Sequence, residues 1–359
     1  MSVESLSSMP AAGSESHATA AFLAADGPLL DVRSPAEYQQ GHIPGAINLP
    51  LFDDAERAAI GTVYKQQGRR DAVQLGLGSV GPRLPGLAQQ LSSHAGPGGQ
   101  LRLYCWRGGM RSGSVAWLAG TLGLDTQLLD GGYKRFRRWC LEQFEHTWPL
   151  LLLGGRTGCG KTDLLLAMQQ QGGAVIDLEG LANHRGSSFG GLGQRPQPST
   201  EHFENQLAVA LERYRNRGPI WLEAESAQVG RCRIPAALWR QMGSAAVVEL
   251  QRASGQRVQR LVEVYGCQQQ QELQEATSRI SKRLGPQRTA IALEAIAKGD
   301  MALAASQMLD YYDRCYDHER ERRPQPPLLC VDGSSGSDAE LAAQLLSWQQ
   351  GQRNASPLT

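Results

Sequence analysis

Two short stretches carry residue types and spacings that can do chemistry. Tyr104-Cys-Trp-Arg-Gly-Gly-Met-Arg-Ser112 places one thiol, Cys105, beside Arg107 and Arg111, with Trp106, Gly108, Gly109 and Met110 completing the loop. Paired glycines let a backbone curl until its amides converge, and two guanidiniums favour an anion. Cys105 is therefore expected to ionise below its free pKa and to act as a nucleophile or hold an anion. A lone cysteine after a strand is more often a small apolar core residue. The arginines and glycines beside this one reverse that preference.

The second stretch, Gly155-Arg-Thr-Gly-Cys-Gly-Lys-Thr162, fits G-x-x-x-x-G-K-[ST] completely. Backbone amides of Gly155, Arg156, Thr157, Gly158, Cys159 and Gly160 are expected to converge on phosphate oxygens, with Lys161 adding charge. Thr162 is the candidate metal ligand if magnesium is used. The pattern specifies a diphosphate without specifying ATP. Asp177 and Glu179 fall at one strand end and Glu223 and Glu225 at another, where each pair can orient a metal or water, or merely cap a helix. Ile220-Trp-Leu-Glu223 departs from the longer apolar run ending in Asp of a typical ATPase, which weakens the case for ATP hydrolysis. Arg231 and Arg233 are candidate phosphate clamps, and glycine-rich Asn183 to Arg195 reads as a mobile loop over the phosphate site, without core residues.

The elements that must position these residues follow from apolar patterning. Leu101 to Tyr104 reads as the strand delivering Cys105, and Ser114 to Leu122 as the helix leaving it. Trp148 to Leu153 reads as the strand before the phosphate loop, and Thr162 to Gln171 as the helix after it. Further short apolar runs at Ala174–Asp177, Pro219–Glu223, Ala245–Leu250 and Leu328–Val331, separated by helical segments, indicate a doubly wound parallel sheet. The fold class is α/β throughout. Expected boundaries are a disordered tail at 1–18, a first domain at 19–136, a linker helix at 137–147, a phosphate-loop domain at 148–335 with a helical segment at 252–308, and a C-terminal helix and tail at 336–359, fraying after Gly351.

Several basic residues are candidate contacts for a polyanion. Lys134, Arg135, Arg137 and Arg138 alternate with Phe136 and Trp139, a pattern that suits either rings stacking on unpaired bases or aromatics packed inward from a solvated face. Lys282 and Arg283 lie at the basic end of the helical segment. Phe52 to Arg70 is helical in pattern and Leu75 to Leu84 glycine-rich, an insertion before the cysteine strand. Asp31 and Arg33, at a strand end, favour a structural ion pair over a role at the cysteine loop.

With 359 residues the chain can form two domains, each with its own core. A net charge of +1 announces no overall basic field, so a nucleic acid would need a local patch. Seven scattered cysteines with no C-x-x-C pair suggest reduced thiols and no structural zinc. No secretory leader or membrane-length apolar run is seen, so a soluble, cytoplasmic protein is expected, with a monomer as one open reading of an oligomeric state the sequence does not give.

The blocks Leu30-Asp-Val-Arg-Ser-Pro-Ala-Glu-Tyr38, Gly41-His-Ile-Pro-Gly-Ala-Ile-Asn-Leu-Pro50 and Leu129-Asp-Gly-Gly-Tyr133, around the cysteine loop, resemble a rhodanese domain. Five residues separate Cys105 from Arg111, a spacing shared with phosphatase relatives of that fold. Joined to the phosphate-loop half, and with Asp54-Ala-Glu-Arg57, Gly61-Thr-Val-Tyr-Lys65 and Asp177-Leu-Glu-Gly-Leu-Ala-Asn-His-Arg-Gly-Ser-Ser-Phe-Gly190, the whole resembles the tRNA 2-selenouridine synthase family. The resemblance implies replacement of sulfur in wobble 2-thiouridine by selenium from selenophosphate, through a base geranylated by geranyl diphosphate. It implies tRNA bound by its anticodon loop, selenium received or held at Cys105, diphosphate at residues 155–162, and no tightly bound cofactor. An ATP-dependent tRNA sulfurtransferase using a Cys105 persulfide and a rhodanese-regulated small-molecule kinase stay open as alternatives.

Overall fold

The computed structural model describes residues 14–17, 19–96, 98–323 and 325–355. It divides into two units, residues 1–142 and 143–359. No helix among the described residues is long and apolar enough to cross a membrane.

In the first unit, β1 (Ser14–His17), β2 (Leu29–Asp31), β3 (Ile47–Asn48), β4 (Gln100–Tyr104) and β5 (Asp125–Leu129) form one sheet in the order β1-β5-β4-β2-β3. Every neighbouring pair is parallel. Part of the expected N-terminal tail is thus β1, while residues 1–13 and 18 lie outside the described residues. Leu30, Leu101 and Leu103 pack against Val115, Ala116 and Ala119 of the helix Met110–Thr121. That helix begins four residues earlier than apolar patterning suggested, because Met110 and Arg111 already turn within it.

The insertion between β3 and β4 is helical throughout: Asp54–Gln66, Arg69–Val80 and Leu84–His94, with a short 3-10 turn at Gly81–Arg83. The glycine-rich run from Leu75 is therefore mostly helix. Asp53 accepts a 2.8 Å bond from the Glu56 amide, and Glu56 accepts a 3.0 Å bond from the Asp53 amide. This capping box is what Asp54-Ala-Glu-Arg57 provides locally.

Asp31 and Arg33 form the expected structural pair, with Nη2 to Oδ2 at 2.6 Å and both side chains buried. The guanidinium also stacks 3.7 Å from the Tyr133 ring centroid. The helix Gly132–Glu145 carries the basic–aromatic pattern. Tyr133 and Phe136 are fully buried, so Phe136 is no platform for a base.

The second unit holds β6 (Leu150–Gly154), β7 (Val175–Ile176), β8 (Ile220–Glu223), β9 (Gln228–Val229), β10 (Cys232–Arg233), β11 (Ala246–Gln251) and β12 (Leu329–Asp332). Its sheet runs β12-β11-β6-β8-β7 with all pairs parallel, and β9 and β10 make a separate antiparallel pair. The central strand β6 ends at the phosphate loop, where the carboxyl ends of parallel strands open a ligand crevice. Leu151 and Leu153 pack with Leu164, Leu165 and Met168 of the helix Lys161–Gln170, and with Leu341 and Leu345 of the helix Asp338–Ala355. Trp221 is buried in the same core, and its indole N–H donates a 2.6 Å bond to Gln349. The last helix continues through Gly351 to Ala355 instead of fraying there.

Between β11 and β12 come the helices Ser254–Tyr265, Gln270–Arg279, Ser281–Leu284, Pro286–Lys298 and Met301–Glu321. The helical segment therefore runs on to residue 321. Gly299 closes one helix in the left-handed region, and Asp300 opens the next by accepting a 3.0 Å bond from the Leu303 amide. Leu273, Ala276, Ile280, Ala295, Ile296 and Ala304 form its core.

Candidate active sites

The loop between β6 and the helix Lys161–Gln170 curls with positive φ at Gly155, Gly158 and Gly160. Lys161 Nζ reaches back across it to donate a 2.9 Å bond to the Gly155 carbonyl. Burial lowers the Lys161 pKa, but Cys159, Glu225, Glu179 and Tyr316 outweigh it and hold the ammonium charged. A diphosphate entering here meets converging amides and a fixed cation.

The four strand-end acids separate into two kinds. Asp177 Oδ1 accepts a 2.7 Å bond from the Gly180 amide and caps the short helix Leu178–Ala182, while the fully buried Glu223 accepts a 2.9 Å bond from the Leu178 amide. Both fix the chain after β7. Glu179 instead accepts a 2.9 Å bond from the Thr162 hydroxyl. Burial and the adjacent Glu225 carboxyl push Glu179 up to about 8, against the pull of Lys161 and Thr162. Glu225 is raised as well, chiefly by burial, with Lys161 and a hydrogen bond to Glu179 opposing. The two carboxyls behave as a proton-sharing pair beside the phosphate cradle.

Gly186 explains why the pair can be covered. A Cβ there would sit 2.8 Å from Glu225 Oε2 and 2.9 Å from Glu179 Oε1, and its φ is +63°. Only glycine lets the loop come down so closely. Three residues on, Phe189 is buried in the helical core with its ring centroid 6.0 Å from that of Tyr265, and Arg279 Nη2 donates a 3.0 Å bond to the Ser188 carbonyl. The segment expected as a mobile loop without core residues is instead anchored to the helical segment.

Together these parts enclose a cavity of about 770 Å³. Its lining mixes polar groups, among them Lys161, Thr162, Glu179, Glu225, Arg260 and Arg283, with the hydrocarbon side chains of Leu261, Val264, Leu273, Ile296, Met301 and Met308.

In the first unit Cys105 directly follows β4 and is 3% exposed. Ser112 Oγ donates a 3.2 Å bond to its Sγ. Burial raises the thiol pKa, but bonds from the Ser112 hydroxyl, the Ser112 amide and the Arg107 amide, with the charge of Arg111, bring it below the ordinary value. Arg111 is itself held at 2.7 Å by Glu37. Gly132 supports the loop from behind: its φ is +58°, and a Cβ there would lie 2.3 Å from the Cys105 carbonyl and 2.4 Å from the Gly108 amide. The amides of Tyr133 and Lys134 donate to the carbonyls of Cys105 and Trp106 at 2.8 and 2.9 Å. Trp106 and Met110 stand exposed on the rim.

A unit carrying the Cys105 loop precedes a unit carrying the 155–162 loop, and both units match known domain families. Residues 16–138 match the rhodanese-like domain, and residues 148–347 match the family described as the tRNA 2-selenouridine synthase AAA domain. A solved structure described as the N-terminal domain of a putative ATP/GTP binding protein from Clostridium difficile 630 aligns with 34% of this chain and 95% of its own, at 38% identity and a TM-score of 0.32. A tRNA 2-selenouridine synthase of Alcanivorax borkumensis is 39% identical over 364 residues, covering 90% of this chain and 96% of that one. One from Sulfurovum sp. is 36% identical, covering 82% and 89%. The chain belongs to the tRNA 2-selenouridine synthase family.

Among the residues that sequence singled out in this tRNA 2-selenouridine synthase family member, Gly155, Thr157, Gly158, Gly160, Lys161, Thr162, Asp177, Glu179, Glu225 and Arg283 line the cavity. Cys159 is buried beneath the loop. Arg156 turns away and pairs with Asp317 at 2.8 Å. Arg231 and Arg233, expected as phosphate clamps, lie on and beside β10 and are not among the cavity residues; Arg231 bonds to Gln197 instead. Lys134 and Arg138 are exposed and Arg135 pairs with Asp130, all on the helix that also carries Arg137. Lys282 is exposed.

Residues at the cradle that a motif search misses are Arg260, which pairs with Asp163 and Asp338, and Tyr316, whose pKa burial and Glu249 push up to about 12. They sit on two different helices, so no local spacing links them to the loop; Arg260 shows in the sequence only as one basic residue of the helical segment.

Proposed function

We propose that this enzyme converts wobble-position 2-thiouridine in tRNA to 2-selenouridine with selenophosphate, by way of an S-geranylated base made from geranyl diphosphate. The observation that supports this reading is a phosphate cradle whose cavity is also lined by hydrocarbon side chains, among them Leu261, Val264, Leu273, Ile296, Met301 and Met308. Geranyl diphosphate has both characters: two phosphates and a hydrocarbon tail.

In the first step the base sulfur attacks the allylic carbon, the carbon–oxygen bond breaks, and the electron pair leaves with pyrophosphate. Loss of the N3 proton leaves a neutral S-geranyl base. The amides of residues 155–160 and the Lys161 ammonium stabilise the charge that builds on the leaving group. Where magnesium is used, the Thr162 hydroxyl with the Glu179 and Glu225 carboxylates is an oxygen donor set that suits it. In the second step the selenium of selenophosphate adds to C2 of the base, the geranyl thiolate departs, and water attacks phosphorus to break the phosphorus–selenium bond and release phosphate, selenium staying at the selenide level throughout. Cys105, its pKa lowered in a nest of donors, marks the loop that holds the selenium-bearing anion for that addition.

The target base lies in an anticodon loop and can be splayed into a pocket without opening a duplex. Exposed Lys134 and Arg138 are candidate phosphate contacts, as is Lys282. Incubating the enzyme with 2-thiouridine tRNA and geranyl diphosphate, then digesting to nucleosides, should give S-geranyl-2-thiouridine by mass. If ATP is hydrolysed in a tRNA-dependent manner while geranyl diphosphate is left untouched, the sulfurtransferase reading takes its place.

A further inference from the structure

The helix Met301–Glu321 presents Met301, Ala305, Met308, Tyr312 and Tyr316 to the cavity, each about one turn from the next, so one face of one helix runs along the cavity. The Tyr316 end is at the cradle: a Cβ on Gly154 would lie 2.9 Å from the Tyr316 hydroxyl. At ~1.5 Å rise per residue, Ala305 is about 16 Å and Met301 about 22 Å farther along the axis. Leu273 and Ile296, on two other helices, line the same apolar region. Ala304 and Ile296 line the cavity as part of the packed helical core, and Ala305 lines it outside that cluster.

We propose that this helix face gauges the length of the diphosphate's hydrocarbon tail: a ten-carbon tail runs from the cradle along Tyr312 and Met308 and ends at Ala305, and a longer one meets Met301. This rests on the reading of residues 155–162 as a diphosphate site. Small side chains at 304 and 305 leave the space that the tail's end fills, and Met301, one turn beyond Ala305, closes it. Methionine suits the position, since its unbranched side chain adapts to an apolar end group. Each buried carbon adds affinity until the gallery is full, and a longer tail must displace Met301.

The test is equilibrium binding to the full chain of inorganic pyrophosphate and of allylic diphosphates with five, ten and fifteen carbons. The parent protein should prefer ten carbons to five by more than about tenfold, since each buried methylene is worth ~0.8 kcal/mol. Ala305→Phe should reverse that preference toward five carbons, and Met301→Ala should raise the fifteen-to-ten ratio by about tenfold. Ratios within one protein are read, so a general loss of stability does not imitate the result. If the parent binds neither pyrophosphate nor the ten-carbon compound, the diphosphate reading itself fails. If it binds the ten-carbon compound and neither substitution moves the ratios, the gauge fails and the diphosphate site stands.

Discussion

The Thr162 hydroxyl donates to Glu179 at 2.9 Å, which ties the phosphate loop to a carboxyl whose pKa stands at about 8. Glu225 beside it supplies the repulsion that, with burial, keeps the proton on. The pair is thus closest to neutral where an anionic ligand must bind.

Without divalent cations, affinity for pyrophosphate should fall as pH rises through about 8, because losing the proton adds a negative charge to the cradle. A unit charge ~4 Å away at an effective dielectric of ~20 costs about 4 kcal/mol, so a loss beyond about tenfold is expected. Calorimetric titration across this range should show the fall, over and above the titration of pyrophosphate itself, and Glu179→Gln should remove that excess. Equal pH profiles for parent and variant would contradict the assignment.

Stability follows the same proton with a definite sign. Glu179 has a folded pKa near 8 against an ordinary 4.5, so between these values the folded chain keeps a proton that the unfolded chain has released. Stability therefore declines as pH rises from about 4.5 to about 8. Glu179→Gln should melt higher than the parent at about pH 8.5, and the gap should narrow toward about pH 5. A gap that widens toward acid would have the wrong sign.

In the first unit, Asp31 neutralises a fully buried guanidinium. Asp31→Ala leaves Arg33 with the Gly41 carbonyl and the Tyr133 ring but no counter-charge. The expected cost is about 3–5 kcal/mol. Urea unfolding checks it, and a loss below about 1 kcal/mol would mean that water reaches the site.

Gly132 is the position where backbone geometry and chemistry meet. Gly132→Ala would drive a Cβ to 2.3 Å from the Cys105 carbonyl, so the thiol loop must shift. Displacement of about 1 Å at a reacting group costs about 100-fold in rate. Selenium incorporation should fall by that order while pyrophosphate affinity is retained, measured in the same preparation. Full selenation activity would show that the loop tolerates the shift.

Much of this was legible in the sequence, and the exceptions have physical reasons. The Cys105 loop, the phosphate loop and the short parallel strands announce themselves because each is a local pattern. Glu179 and Glu225 meet only because β7 pairs with β8, a neighbour relation no local spacing encodes. The apolar face of the helix Met301–Glu321 has ordinary core periodicity, so nothing in it distinguishes a packed face from the wall of a cavity. Phe189 sits in a glycine-rich run that reads as loop, yet its ring fills the helical core. Arg231 and Arg233 show the converse: their residue type suits phosphate clamps, yet they lie beside and on β10 and are not among the cavity residues.

Mass analysis of tRNA nucleosides, after incubation with geranyl diphosphate and selenophosphate, tests the two-site account most directly. The parent should yield 2-selenouridine, Cys105→Ser should stop at the S-geranyl nucleoside, and Lys161→Ala should leave 2-thiouridine unchanged. Undiminished 2-selenouridine from both variants would contradict it.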